Sequence, residues 1–250
     1  MDREWSAAGR ARGTVALLHG VTSSAATWWR VGPALARRGW RVIAFDLPGH
    51  GDCPAPVEPL TLDALVASVV DRLPGGGVDV LVGHSLGGVV GAAAAARSGV
   101  ARAVVLEDPP GLRALDPYVF AHTVAADLEL VGADPGRLAT RFRTLNPRWS
   151  ETDLETVVAA LHRVDATNVV SGLRAAMRWD VPELVGAVDV PVLVLAAAER
   201  ASALRGEDRS AVRAALPPGR FVELASGHAV HRDRPAEWVD AVAGFAATLA

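Results

Sequence analysis

Short apolar runs alternate with stretches of helical periodicity along this chain. Thr14–Leu18, Arg41–Phe45, Val78–Val82, Ala103–Leu106, Val192–Leu195 and Arg220–Leu224 are dominated by Val, Leu, Ile and Ala. Runs of this length and composition suit strands covered on both faces, where polar alternation is lost. Between them, Trp28–Arg38 predicts a helix that stops near Gly39, and the Ala-rich stretch ending at Arg97 predicts another, alanine being the strongest helix former. A closing helix is expected from Ala236 to Leu249. Strand and helix in alternation predict an α/β protein: a mostly parallel sheet flanked by helices.

From Gly111 to Val188 the pattern changes to helix after helix, with candidates at Asp116–Val131, Asp134–Leu145, Glu151–Val164 and Ala166–Trp179. Asp134 followed by Pro135 suits an N-cap and first helical position. Ser150, with Asp153 three residues on, suits another. This segment interrupts the core between two strands. It reads as a helical cap over the carboxyl ends of the strands, where open α/β sheets bind ligands. The expected organisation is a single catalytic unit, with residues 1–110 and 189–250 as core and residues 111–188 as inserted cap.

Composition narrows the function. Half of the 250 residues are hydrophobic, and 25 Lys and Arg against 28 Asp and Glu leave a formal charge of −3. The charges are interspersed, which gives no basis for a nucleic-acid partner. The lone cysteine, Cys53, excludes an intramolecular disulfide and suits a reducing compartment; it reads as a passive loop thiol. The start, Met1-Asp2-Arg3-Glu4-Trp5, is charged where a signal peptide would be apolar. The most apolar run, Val89–Ala96, stops at Arg97, short of the roughly 20 residues a membrane span requires. A soluble cytoplasmic protein acting on a small molecule is expected, with no membrane partner. No cluster has zinc-ligand spacing and no G-x-G-x-x-G follows a strand, so neither metal nor nicotinamide cofactor is expected. Oligomeric state leaves no mark on the sequence.

Gly83-His84-Ser85-Leu86-Gly87 matches G-x-S-x-G. A predicted strand precedes it and a predicted helix follows, the context of a nucleophile elbow. Its glycines permit a turn too tight for larger side chains, and Ser85 stands at a helix N-terminus, where the dipole favours negative charge.

Taken with His19-Gly20-Val21, Asp46-Leu47-Pro48-Gly49-His50-Gly51 and Gly227-His228, in that order, the elbow makes the chain resemble α/β-hydrolase-fold proteins of the lid-bearing esterase, lactonase and cofactor-free perhydrolase type, over residues 13–250. The residues before Gly13 are too few for the long N-terminal hairpin of many members, so a sheet shorter by a strand or two is expected. The resemblance implies that Ser85 is the nucleophile and that His228, after the last core strand, is its base. His231, three residues on, is the competitor for that role. The oxyanion hole is expected at the backbone N–H groups of Val21 and Leu86. His19 and His50 read as hydrogen-bonding residues of glycine turns, His84 as pointing away from Ser85, and His122 and His162 as residues of cap helices. Trp149 and Trp179 are candidates for either pocket lining or packing.

The third member of the triad departs from the usual pattern. Members commonly carry an aspartate after the strand equivalent to Val192–Leu195, where this chain reads Ala196-Ala197-Ala198-Glu199-Arg200. Others, such as haloalkane dehalogenases and zearalenone-type lactonases, carry the acid after the preceding strand, where this chain has Glu107-Asp108-Pro109. Successive strand residues face opposite sides. Were Asp108 the strand tip, Glu107 would lie buried against the helices, costly for an unpaired carboxylate. Glu107 is therefore the preferred acid, with Asp108 and Glu199 as alternatives. The expected activity is hydrolysis of an ester-like or lactone-like bond through an acyl-enzyme. Perhydrolase, carbon–carbon bond hydrolase and acyltransferase chemistry, or a non-catalytic ligand-binding protein on the same scaffold, are the alternatives. Dehalogenases and epoxide hydrolases use aspartate at the elbow, where this chain has Ser85.

Overall fold

A computed structural model describes residues 2–112 and 116–249; Met1, Ala250 and residues 113–115, which fall at the start of the expected cap, lie outside the described residues. The sheet has seven strands: β1 Arg3–Trp5, β2 Thr14–Leu18, β3 Arg41–Phe45, β4 Val78–His84, β5 Ala101–Glu107, β6 Val192–Ala196 and β7 Phe221–Glu223. They lie in the order β1-β3-β2-β4-β5-β6-β7. All neighbours are parallel except β1, which runs antiparallel along β3. All six strands expected from the apolar runs are present. β1 was not expected, because three residues reading Arg-Glu-Trp carry no apolar run; it covers an edge that would otherwise present unpaired backbone groups.

Strand alternation sorts the side chains into two cores. Val15, Leu17, Val42, Ala44, Val82, Ala103, Val105 and Leu195 meet Trp28, α1 (Val31–Arg37) and α11 (Pro235–Ala247) on one face. Ala16, Leu18, Ile43, Leu81, Val104, Leu106 and Val194 meet α2 (Leu62–Arg72), α3 (Leu86–Ser98), α8 (Val181–Gly186) and α9 (Gly206–Ala215) on the other. The sheet is sandwiched, which is why its strands are apolar on both sides. α3 is buried at every position from Leu86 to Ala95, and its Gly and Ala residues let it sit close against the sheet. α2 and α9 were not among the expected helices.

Between β5 and β6 the chain forms α4 (Pro117–Ala133), α5 (Pro135–Leu145), α6 (Glu151–Leu161) and α7 (Ala166–Ser171). Asp134 caps α5 ahead of Pro135, accepting from the Arg137 N–H at 2.9 Å. Ser150 and Asp153 form a reciprocal capping box on α6, the arrangement their spacing predicts. α7 ends at Ser171 and gives way to a π turn over Gly172–Ala176, so the last expected helix is broken short of Trp179. Of these, α4, α5 and α6 share a small apolar core of Val131, Leu138, Val157 and Leu161. Among the described residues no helix is long and apolar enough to cross a membrane.

Leu17 is fully buried in the central strand β2, whereas Tyr118 is 65% exposed on α4. Leu17→Ala should therefore cost about 2–5 kcal/mol of unfolding free energy. Tyr118→Ala should stay within about 0.5 kcal/mol of the parent. Urea unfolding of the two variants checks the assignment of core and surface.

Candidate active site

Ser85 joins β4 to α3 with φ 52° and ψ −121°, a backbone conformation that L-residues rarely adopt and that persists only when its surroundings enforce it. Here the enforcement is close backbone packing. A side chain on Gly83 would strike the Gly87 carbonyl, and one on Gly87 would strike the carbonyls of Leu18 and His19. The Ser85 N–H is held by the Glu107 carbonyl at 2.8 Å, so the elbow is pinned to the end of β5. The turn after β2 runs against it: a Cβ on Gly20 would come within 3.0 Å of the Ser85 Cβ. His19 clasps that turn. Its Nδ1–H donates to the Gly20 carbonyl at 2.7 Å and its Nε2 accepts from the Leu47 N–H at 2.9 Å. Burial, followed by the charge of His50, lowers its pKa to about 3, so it is neutral. His50 makes a corresponding turn contact from Nδ1 to the Pro48 carbonyl at 3.0 Å. Both histidines are thus structural hydrogen-bonders.

Ser85, His228 and Val21 line one cavity of about 390 Å³. Leu86, the first residue of α3, follows Ser85 directly, and the first N–H groups of a helix have no intrahelical acceptor. Among the described residues the Val21 and Leu86 N–H groups make no hydrogen bond.

The carboxylate beside His228 is Asp108, not Glu107. Asp108 Oδ2 accepts from His228 Nδ1 at 2.6 Å and from the Ala203 N–H at 2.8 Å. Its Oδ1 accepts from the Ser202 hydroxyl at 2.5 Å and the Ala197 N–H at 3.1 Å. Asp108 stands just past β5 with φ 45°, a left-handed turn that swings its side chain toward the loops following β6 and β7. Burial pushes its pKa up, but the hydrogen bond and charge of His228, then Ser202 and Ala203, outweigh burial and hold it below the usual carboxylate range.

Glu107 is the strand tip, as expected, but it points away from His228. It shares the face of Ala103 and Val105, under the sheet against α11. There Oε1 accepts from the His231 N–H at 2.9 Å and His231 Nδ1 at 2.8 Å, and Oε2 accepts from Trp238 Nε1 at 2.9 Å. The expectation assumed that a carboxylate in that position would be unpaired. The fold instead supplies three donors from residues 124 to 131 positions away. Burial dominates and raises the Glu107 pKa. The two adjacent acids thus shift in opposite directions, because Asp108 faces an accessible imidazole and Glu107 faces one sealed in the core. Glu199, the third candidate, is exposed in a short turn after β6.

His231 is fully used in the core: its Nε2 lies 2.8 Å from Thr27 Oγ1, and burial drives its pKa well below the ordinary value. His84 does not simply turn away from the site. It lines the cavity, its Nε2–H donates to the His228 carbonyl at 3.2 Å, and its ring lies between those of His228 and His231 at centroid distances of 4.7 and 5.1 Å. The side-chain atoms of His84, Glu107 and His231 fall within 4.8 Å of one another, close enough to share a metal ion, but the Glu107 oxygens already accept three N–H groups. The donor set is satisfied as a hydrogen-bonded core. Trp149 lines the cavity, while Trp179 packs with its Nε1–H on the Pro110 carbonyl at 2.7 Å. Phe120, Val124, Phe142 and Val157 complete an apolar wall contributed by α4, α5 and α6. The supporting residues Ser202, Ala203 and Thr27 carry no sequence signal; they are found only once the loops are folded together.

The chain belongs to the alpha/beta hydrolase family, whose pattern it matches over residues 15–241. Among curated proteins it is 41% identical over 88 residues to the human "Putative protein-lysine deacylase ABHD14B", covering 32% of this chain and 41% of that protein. It is 41% identical over 83 residues to Methylesterase 9 of Arabidopsis thaliana, covering 32% of each. The matched stretch thus spans less than half the length of these relatives. Among solved structures it superposes on the enol-lactonase from Burkholderia xenovorans LB400 with a TM-score of 0.75 at 23% identity, over 98% of this chain and 95% of that one. A thermophilic esterase from Thermogutta terrifontis gives 0.75 at 22%, over 100% and 93%. The chain is therefore a hydrolase-family protein with the family's sheet and helices throughout.

The buried imidazoles set a pH dependence of stability. His19, His84 and His231 have folded pKa values below the ordinary 6.5. The unfolded chain takes up protons there that the folded chain refuses, so stability is full above pH 6.5 and falls below it. Between about pH 7.5 and pH 5.5 each of the three should cost roughly 1 kcal/mol by proton linkage. Urea unfolding at the two pH values should show a loss of this order; equal stability would mean that these rings are not held neutral in the fold.

Proposed function

We propose that this protein is a serine hydrolase that cleaves an ester-like or lactone-like bond in a small carbonyl compound through an acyl-enzyme. The observation that carries the reading is that Ser85 and His228 share one cavity while His228 Nδ1 sits 2.6 Å from a buried carboxylate. A serine hydroxyl at its free pKa is a poor nucleophile and requires a base. In this mechanism Asp108 accepts the Nδ1–H of His228, leaving Nε2 as the lone-pair nitrogen. As Ser85 Oγ attacks the carbonyl carbon, Nε2 takes its proton and Asp108 stabilises the resulting imidazolium. The oxyanion is received by the N–H groups of Val21 and Leu86, a contribution of about 3–4 kcal/mol per donor. Collapse of the intermediate returns the proton from His228 to the leaving oxygen and leaves the acyl group on Ser85. Water, deprotonated by the same nitrogen, then releases the acid.

Helices α4 to α6 act as the cap in this reading, and their apolar wall accommodates the body of the substrate. The lone cysteine supports a reducing, cytoplasmic setting. Glu107 has a different part: its three N–H donors make it an anchor for the chain around His231, which positions the neighbouring His228.

Ser85→Ala should lower kcat on a short-chain nitrophenyl ester by at least about 10³-fold, with a fluorophosphonate probe labelling the parent and not the variant. Asp108→Asn should lower kcat by about 10³–10⁴-fold through loss of the correct imidazole tautomer. Glu107→Gln should leave kcat within about tenfold of the parent while costing about 1–3 kcal/mol of stability, because a buried donor loses its acceptor. Failure of the parent to react with the probe would point to a ligand-binding scaffold. A loss of kcat confined to Glu107→Gln would reverse the assignment of the acid.

A further inference from the structure

Among the described residues two arginines of the cavity wall, Arg205 and Arg232, have no carboxylate in ion-pair contact, and of the two only Arg232 is buried. Arg232, in the short helix α10 (Val230–Asp233), is only 5% exposed and lines the same cavity as Ser85 and His228. Its Nε and Nη2 both donate to the Thr27 hydroxyl, at 3.1 and 2.8 Å. That oxygen is thereby saturated, since the Thr27 proton is the one available to His231 Nε2 at 2.8 Å once Nδ1–H has gone to Glu107. The guanidinium carbon lies 4.3 Å from the centroid of the Trp149 ring.

Among the described residues no carboxylate lies within ion-pair distance of Arg232. The acids that act on it from further away are Asp153, Glu107 and Asp233; the first two are engaged elsewhere, while Asp233 is engaged through Oδ2 only and its Oδ1 makes no hydrogen bond. Asp153 accepts from Trp29 Nε1 at 3.0 Å and from Ser150. Glu107 accepts from His231 and Trp238, and Asp233 Oδ2 accepts from the Gly227 N–H. Arg232 Nη1 makes no hydrogen bond, yet it is not sealed from solvent. Burial lowers the Arg232 pKa to about 10, which leaves the guanidinium charged at neutral pH.

A buried charge in contact only with a neutral hydroxyl and an aromatic face, its nearest carboxylates beyond ion-pair distance, is expensive to maintain. A guanidinium so fixed is a planar pair of donors ready for a carboxylate. The other charges of the cavity reinforce the sign. Asp127, its acid, is already paired with Arg141, and Arg205 adds a second cation.

Resting on the hydrolase reading above, we propose that Arg232 binds a carboxylate of the substrate, so that the natural substrate is an ester or lactone that also carries a free carboxylate. The apolar wall of Phe120, Val124 and Phe142 holds its hydrocarbon part, and Arg232 fixes the anionic end relative to Ser85. Arg232 is a specificity-determining residue in this scheme, distinct from the groups that move protons.

The test compares nitrophenyl half-esters of the straight-chain dicarboxylic acids from succinate to suberate with the same compounds methylated at the free acid. In the parent enzyme at least one chain length should favour the free acid in kcat/KM by about 10–100-fold, the worth of a charge-assisted hydrogen bond. Arg232→Leu should bring that ratio to about 1, with Arg232→Lys between the two, because lysine keeps the charge without the planar fork. A binding measurement stands apart from turnover. Calorimetric titration of Ser85→Ala with glutarate and adipate should show binding that weakens as salt is added and that is lost when Arg232→Leu is added. A parent enzyme that turns over the methylated compounds equally well or better at every length, together with no dicarboxylate binding to Ser85→Ala, overturns the proposal even if Arg232→Leu fails to fold. Arg232-dependent dicarboxylate binding in a protein that hydrolyses none of the esters upholds the carboxylate site and overturns the hydrolase reading instead.

Discussion

The site depends on the turn at the end of β5, where two adjacent carboxylates leave the sheet in opposite directions. Glu107 goes beneath it to His231 and Trp238, and Asp108, thrown over by a left-handed backbone, goes outward to His228. Each acid therefore fixes one histidine of the same short segment. Because His228 and His231 are only three residues apart, the buried pair acts as a foundation for the accessible one. The carbonyl of Glu107 also holds the N–H of Ser85, so Ser85, His228 and Asp108 all take their positions from this one strand end. Two charges buried side by side would repel in a low-dielectric interior; here each is compensated by its own set of donors before it meets the other.

The fold was legible because its signals are local. Buried parallel strands announce themselves as apolar runs, and Asp134-Pro135 and Ser150-x-x-Asp153 mark helix starts by chemistry that acts within one turn. The elbow was legible for the same reason at Gly83, whose crowding by the Gly87 carbonyl arises from the turn itself, whereas Gly87 is pressed by the distant carbonyls of Leu18 and His19. What lay beyond reach was long-range. β1 carries no apolar pattern and is a strand only because β3 offers an edge.

The acid shows the limit most clearly. The rule that strand neighbours face opposite sides placed Glu107 correctly at the strand tip. The inference that it would serve His228 failed because the cost of burying a carboxylate depends on partners, and those partners lie in α10 and α11, more than 120 residues later. Ser202 and Ala203, which complete the cradle of Asp108, sit in a loop whose Ala-rich sequence gives no hint of that role. Arg232 follows His231 with no motif around it, and it is distinguished by its burial in the cavity wall.

The packing of α3 has a consequence for how such a protein can change. The helix that follows Ser85 lies against the sheet with Gly87 pressed onto the carbonyls of Leu18 and His19, leaving no room there to absorb a mismatch, and tightly packed interiors pass displacement on rather than damping it. Added bulk at Gly87 would be felt as a shift of the Ser85 hydroxyl. Helices α4, α5 and α6 meet the cavity through larger side chains such as Phe120 and Phe142 and share a small core of their own, so they can be varied with less effect on the elbow. Selection for new substrates thus has one region in which to explore and another it must leave alone, a division of evolutionary freedom built into side-chain size.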